Sequence, residues 1–539
     1  MRLAYTCLFA GAVVWGQQHV RQVHTVAGLG TVSFPTTCSE AAQKHFARGV
    51  ALVHSFGYAE ARTSFREAAK ADAECAMAHW GEAMTWYHPV WAPPNPEELK
   101  QGAAAIERAA GTPSKSARER DYIEALAVFY NNWQPIPHRA RAAAYEAAMA
   151  KVRVKYPDDD EAAIFHALQI LALGYLDLSD KTYAKHKQAA EILRQVLPRN
   201  ERHPGVAHYI IHSTDFPSLA PLGLTAARSY AKIAPDAPHA LHMPSHIFTR
   251  LALWDESIAS NIASAAAAVT RVDRAGGVGA FDQLHAMDYL VYAYLQQGRD
   301  SAARRVLDEM AGITRLDEQQ FAAAYAFVAA PARYALERQD WKAAARLELK
   351  PEWFEWKRFP NMEAMLLYAR AIGAARGGEL EIARAAVQRL GRIRDTLPHS
   401  RDYDWSGAVG TQYDAASALL AFAEGRKEEG IGRLRAAAAR EDAIDKHPVT
   451  PGAILPVREI LADVLRETGK AGEALAEYEA VLGTSPGRLN AVAGAAQAAS
   501  AAGQRGRAKE YYTTLLKLTE RAEGARPAML AAREFLRRE

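Results

Sequence analysis

The chain repeats itself at an interval of 34 residues, and this limits its fold more than any other feature. Leu461–Pro486 reads LADVLRETGKAGEALAEYEAVLGTSP, and the stretch that follows includes AAQAASAAGQRGRAKEYYTTLLKL. Gly469 aligns with Gly503, Ala474 with Ala508 and Tyr478 with Tyr512. A helix places residues i and i+4 on one face, so the small residue admits a neighbouring helix and the aromatic fills the space beside it. The same order opens the chain at Gly49, Leu52, Gly57, Tyr58, Ala61, Phe65 and Ala68.

A 34-residue unit with these positions is the signature of the tetratricopeptide repeat (TPR), a helix–turn–helix that buries its apolar face only by stacking on its neighbours. The predicted fold is all-α: a TPR-type α-solenoid, a right-handed superhelix of antiparallel helix pairs. Second-helix signatures recur at Ala226/Tyr230, Trp254 to Asn261, Ala303/Leu307, Trp341/Ala344, Ala383/Val387 and Gly430/Leu434. Their spacing strays from 34, which predicts roughly ten pairs, several of them irregular. Alternating strand patterns are absent, so no sheet is expected. The expected division is a signal peptide over 1–16, an extended segment over 17–37 and one continuous solenoid over 38–539. Its repeats are clearest at 41–74, 283–316, 454–487 and 488–521. Pro-rich interruptions at His88–Pro96, Phe216–Pro221 and His447–Gly452 are read as insertions bordering a binding face.

At 539 residues, 49% hydrophobic and 24% charged, the chain is that of a folded protein, and its formal charge of +3 offers no polybasic patch for nucleic acid. Arg2 followed by the apolar run Leu3–Trp15 reads as a secretory signal too short to span a bilayer, cleaved after Gly16 or kept as an anchor. The mature chain is expected to be periplasmic or secreted, with no membrane span. Two cysteines then remain, Cys38 and Cys75, as one disulfide or two buried thiols.

Three stretches, HSFGYAEARTSFREAAKADAECAMAHWGEAM, HALHMPSHIF and DKHPVTPGAILPVREILADVL, resemble a broad family of exported bacterial TPR proteins of ill-defined function. The resemblance covers nearly all of the mature chain. It implies a helical solenoid in the cell envelope and assigns no reaction.

Histidine is unevenly placed: seven of 18 fall between His203 and His285. His208/His212 and His242/His246 are i, i+4 pairs, which share a helix face and can close on one metal. His208, His239 and His285 occupy equivalent places early in the first helices of three successive repeats, the part that lines a TPR groove. The candidate groove or metal residues are therefore His208, His212, His239, His242, His246, His285 and Asp288, with Asp215, Asp236, Asp282 or Asp288 available to orient rings. Pro244 argues against the second pair, since a helix starting there leaves His242 outside it. An ion held by imidazole alone would be zinc, copper, nickel or iron. The aromatic cluster His79, Trp80, Trp86, Tyr87, His88 and Trp91 is read first as core, second as a ligand-stacking wall. His447 is read as a turn before a helix near Pro456, or else as part of the groove.

Motifs GxSxG, HExxH and the P-loop are absent, which removes the familiar enzymes without excluding a metal-dependent one. The leading expectation is an interaction scaffold whose concave groove binds a peptide, protein or envelope component, with no nucleic-acid partner. The alternative is a metal-binding protein or metalloenzyme built on the histidines.

Overall fold

The protein is described here by a computed structural model covering residues 22–539 except 91–92, 114–115, 275–279, 317, 400–402, 525 and 539. The signal assigned to 1–16 and Trp91 lie outside the described residues.

Antiparallel helix pairs follow one another along the chain, as the repeat requires. The clearest are Glu40–His54 with Tyr58–Ala71, Phe281–Gln296 with Asp300–Ala311, Val457–Glu467 with Ala471–Thr484, and Leu489–Ala501 with Arg505–Leu518. The small-then-aromatic pattern has a direct packing cause. A Cβ added to Gly494 would lie 2.2 Å from the Tyr478 ring, and one added to Gly81 would lie 2.3 Å from Phe65. Both of these second-helix aromatics thus rest on a glycine of the next first helix, where no side chain fits. Between the helices of the last two pairs, Gly469 and Gly503 hold φ of +77° and +73°, the left-handed position that ends a helix with a backbone turn.

The expectation of no strand fails at one place. His24–Val26 and Gly30–Val32 pair antiparallel in a short hairpin. Three residues per strand are too few for a period-two pattern to stand out. The hairpin is held by tertiary contacts, Thr31 N–H donating to Arg202 O and Asp236 N–H to Gly28 O.

Residues far apart in the chain also meet across the array. Lys446 reaches back to Asp215 at 2.9 Å, and Lys181 meets Asp445 at 2.8 Å. The two C-terminal pairs also lean on the middle ones, with Leu489 N–H donating to Gln296 and Arg526 paired with Asp300. The apolar core forms two large blocks, one spanning Leu29–Phe248 and one Trp254–Ala532. The central histidines sit at the seam between them.

Two consequences for stability can be measured. Cys38 and Cys75 are bonded across a sequence separation of 37, tying the entry of the first helix to the start of the Ala76–Met84 helix. Loop-closure entropy for a ring of that size is about 4 kcal/mol. A Cys38→Ser/Cys75→Ser protein is expected to lose about that much stability in a denaturant titration, and thiol labelling of the denatured, unreduced mature chain should find none. The second concerns Glu441, whose carboxyl burial pushes up from 4.5 to about 7 while it accepts the Val457 N–H. Between those two values the folded state holds a proton that the unfolded state has released, so stability falls as pH rises through the window. Denaturation midpoints at pH 5 and pH 8 should show this decline, and Glu441→Gln should flatten it.

A candidate metal centre of six buried histidines

His208 and His212 lie on the Pro204–Thr214 helix, His239 and His242 on Pro238–His242, His246 on Pro244–Arg250 and His285 on Phe281–Gln296. Pro244 does not separate His242 from His246. Met243 keeps right-handed helical angles (φ −52°, ψ −35°), so the path stays helical through the proline, whose fixed φ suits it. His242 Nε2 and His246 Nε2 are consequently 3.0 Å apart.

The six rings sort into two triads rather than one line. His208, His212 and His239 offer three ring nitrogens within 4.8 Å of one another, and so do His242, His246 and His285. In the first triad, His208 Nε2 is 3.0 Å from both His212 Nε2 and His239 Nε2. Tetrahedral ligation with bonds near 2.0–2.1 Å needs nitrogens about 3.3 Å apart, so each set is close to bonding geometry. The triads adjoin, with His212 and His246 centroids 6.5 Å apart and His239 and His242 also 6.5 Å apart.

Their outer nitrogens fix the tautomers. His208 Nδ1 is 2.7 Å from His54 O, which can only accept, so the proton is on Nδ1. His242 Nδ1 is 2.7 Å from Asn261 Oδ1, and the Asn261 amide nitrogen is occupied with Ser257 O, which leaves the oxygen to accept. His246 Nδ1 donates to Asp215 Oδ2 at 2.9 Å. Neutral rings with Nδ1 protonated present bare lone pairs at Nε2. In the second triad two such lone pairs therefore face each other at 3.0 Å with no proton between them. Tyr289 Oη is 3.3 Å from His246 Nε2 and 3.4 Å from its Nδ1, within reach of that Nε2 lone pair but not lying between the two facing nitrogens.

The rings are neutral because water is excluded. None of the six is more than 9% exposed. Burial, with the neighbouring imidazoles, holds His208, His212, His239, His242 and His285 well below the usual histidine value. Burial also lowers His246, although Asp215 opposes it. Asp215 stays ionised despite its own burial, since Lys446, Arg250 and His246 all hold its carboxyl well below the carboxylate range. Arg250 and Lys446 also line a cavity of about 160 Å³.

Phe56 covers the first triad, its ring 4.4, 5.6 and 5.4 Å from the centroids of His208, His212 and His239. It occupies the left-handed turn position that Gly469 and Gly503 fill in the last repeats, with φ of +56°. A non-glycine residue there costs about 1–2 kcal/mol, as at Ala252 and Gln339, which hold the same turn position in other repeats.

Several sequence expectations need correction. The histidines do not line an open groove, because the Asp445–Lys446 crossing and Phe56 close over them. Asp288 turns away from the centre to pair with Arg333, which also donates to Gly452 O at 2.7 Å. Of the four aspartates offered for orienting rings, Asp215 does so, on His246. Asp282 pairs with Arg271, and Asp236 meets the N-terminal hairpin. His447 packs among Phe321, Tyr403 and Trp405. Trp80 and Tyr87 are core, Trp80 lying against Phe34 and Phe165.

A supporting trio escaped the sequence reading. Glu161 accepts from His54 Nε2 and His203 Nε2, both at 3.0 Å. It is held far below its usual range, against its own burial, by His203 and His54. His54 in turn supplies the carbonyl that orients His208. No spacing rule links residues 54, 161 and 203, so only the fold could reveal the trio.

No family model and no curated protein matches the chain. Among solved structures it is similar to the human IFIT1 dimer with PPP-AAAA at 13% identity, over 89% of this chain and 91% of that one, with a TM-score of 0.38. It is similar also to the human IFIT1 dimer with m7Gppp-AAAA at 11% identity, over 89% and 91%, with a TM-score of 0.36. At this level the likeness is one of fold class. The chain is a TPR-like helical-repeat protein, a class already plain in its stacked pairs. Because those neighbours hold nucleic-acid ligands, the expectation of a chain with no nucleic-acid partner is overturned and is not carried forward. Among the described residues no helix is long and apolar enough to cross a membrane.

Proposed function

We propose that this protein is a metal-binding helical-repeat protein in which each histidine triad holds one transition-metal ion. What carries the proposal is the 3.0 Å approach of two unprotonated nitrogens, His242 Nε2 and His246 Nε2. Two buried lone pairs at that distance repel unless a cation lies between them. The oriented Nδ1 protons add support, because ligating imidazoles are ordinarily aimed by such an outer partner. Three nitrogens per ion leave a coordination position for a further ligand. The Cys38–Cys75 bond favours an oxidising compartment, in keeping with an exported protein of the bacterial family its motifs resemble. A peptide or protein partner, the other expectation, would engage a different surface, since the histidines are buried.

Elemental analysis of the mature chain, purified without a histidine tag or chelator, tests the proposal. Two ions per chain are expected. A metal-free protein that also fails to take up zinc or copper at micromolar concentration would end it.

A further inference from the structure

The charge of the donor set discriminates between ions. Six neutral imidazoles bring no negative charge to either triad. Asp215 is the carboxylate bonded to a ligand ring, and Lys446 and Arg250 already offset it. Glu161 bonds His54 and His203 rather than a ligand ring, and Asp288 bonds Arg333. Two divalent ions would bring four positive charges into this sealed seam, and uncompensated buried charge is strongly unfavourable. Two monovalent ions bring half as many. Among the metals that suit imidazole, copper is the one with a stable monovalent state, and three nitrogens are a sufficient shell for it.

The triads are also close enough to act together. Facing rings stand 6.5 Å apart between centroids, so ions held by the two sets would be neighbours. Phe56 and the buried rings around it make the walls largely aromatic, which suits a small uncharged ligand better than a hydrated anion.

We infer that the two triads hold a pair of copper(I) ions that together bind dioxygen between them. The inference rests on the metal reading above and adds to it the ion, its valence and its ligand. Each copper(I) gives one electron to dioxygen, which becomes peroxide with its O–O single bond kept. Both ions become copper(II), and no proton is needed. Two copper(I) ions and dioxygen carry the same total charge as two copper(II) ions and a peroxide dianion. Oxygenation therefore adds no charge to a site with no carboxylate among its ligands.

The test is to strip the mature, untagged protein of metal, load it with copper(I) without oxygen, and then admit oxygen. Two copper ions per chain, one dioxygen taken up per two coppers and a new intense near-ultraviolet charge-transfer band are expected. The oxygenated form should give no electron paramagnetic resonance signal, because the two copper(II) spins couple through the bridge. His208→Ala, on the first triad, and His285→Ala, on the second, should each keep one copper, take up no dioxygen and retain the helical circular dichroism. Either variant suffices if the other fails to fold. Two coppers per chain that stay copper(I) with no oxygen uptake, or that oxygen converts to isolated copper(II) ions with an electron paramagnetic resonance signal, would overturn the inference and leave the metal reading standing. So would a chain that binds zinc in both triads and refuses copper(I). A chain that binds no metal would overturn both.

Discussion

A protein carrying His208→Ala, His242→Ala and His246→Ala is expected to purify without stoichiometric metal, where the unaltered chain carries two ions. His208 is the ring whose Nε2 lies 3.0 Å from both its triad partners, so its loss leaves His212 and His239 without the nitrogen between them. The other two changes remove the facing nitrogens of the second triad and leave His285 alone. A single imidazole does not hold a buried ion against solvent. Thermal unfolding supplies a second readout. An ion present at 1,000 times its dissociation constant stabilises the folded state by about 4 kcal/mol per site. A strong chelator should therefore lower the melting temperature of the unaltered protein and leave that of the triple variant where it was. Equal sensitivity of the two to chelator would place any bound metal elsewhere. Helical circular dichroism should be the same in both, because the helices at the seam are held by the apolar blocks on either side.

Arg488→Ala is expected to be the most destabilising single substitution away from the histidines. Arg488 is 1% exposed and bonds Glu337 through Nη1 at 2.7 Å and Glu459 through Nε at 2.5 Å. It immediately precedes the Leu489–Ala501 helix, so one guanidinium fastens three helix pairs: those of Glu337, of Glu459 and of the C-terminal repeats. Removing one member of a buried ionic set leaves its partners charged and unpaired, at a cost of about 3–5 kcal/mol. Here two carboxylates would be stranded, and burial already pushes Glu459 up to about 7 with Arg488 in place. The expected result is an early loss of the C-terminal pairs on denaturation, seen as proteolysis beyond residue 488 before the rest unfolds. Adding Glu337→Gln and Glu459→Gln to the arginine variant should restore part of the loss, because neutral amides are cheaper to bury than carboxylates. An Arg488→Ala protein as stable as the unaltered one would mean that the apolar contacts of Leu489 and Val492 hold the end of the array unaided.

Local order was legible in the sequence because it depends on residues a few positions apart. The 34-residue interval, the small-then-aromatic pairs and Gly469 and Gly503 specify helices, turns and stacking through contacts within one repeat or with the next. The pairs His208/His212 and His242/His246 follow from the helical period alone, and the second survives Pro244 because a proline's φ is already helical. The third member of each triad did not follow. His239 is three residues from His242 yet joins His208 across 31 residues, while His285 joins His242 from another helix. That partition depends on the rotation between successive pairs, and turns of irregular length set it.

The same holds for Asp288, which sequence spacing placed with the histidines and which Arg333 draws away. It holds too for Phe56, for the Glu161 trio and for the Lys446 crossing that turns a supposed open groove into a closed seam. Each joins residues far apart in the chain, where no periodicity constrains which side chains meet. The sequence by itself determined the repeat, the helix faces and the two histidine pairs, since those are properties of a 3.6-residue turn. Only the tertiary structure decided that six imidazoles form two triads out of reach of water, since that requires helices from separate repeats to close on one another.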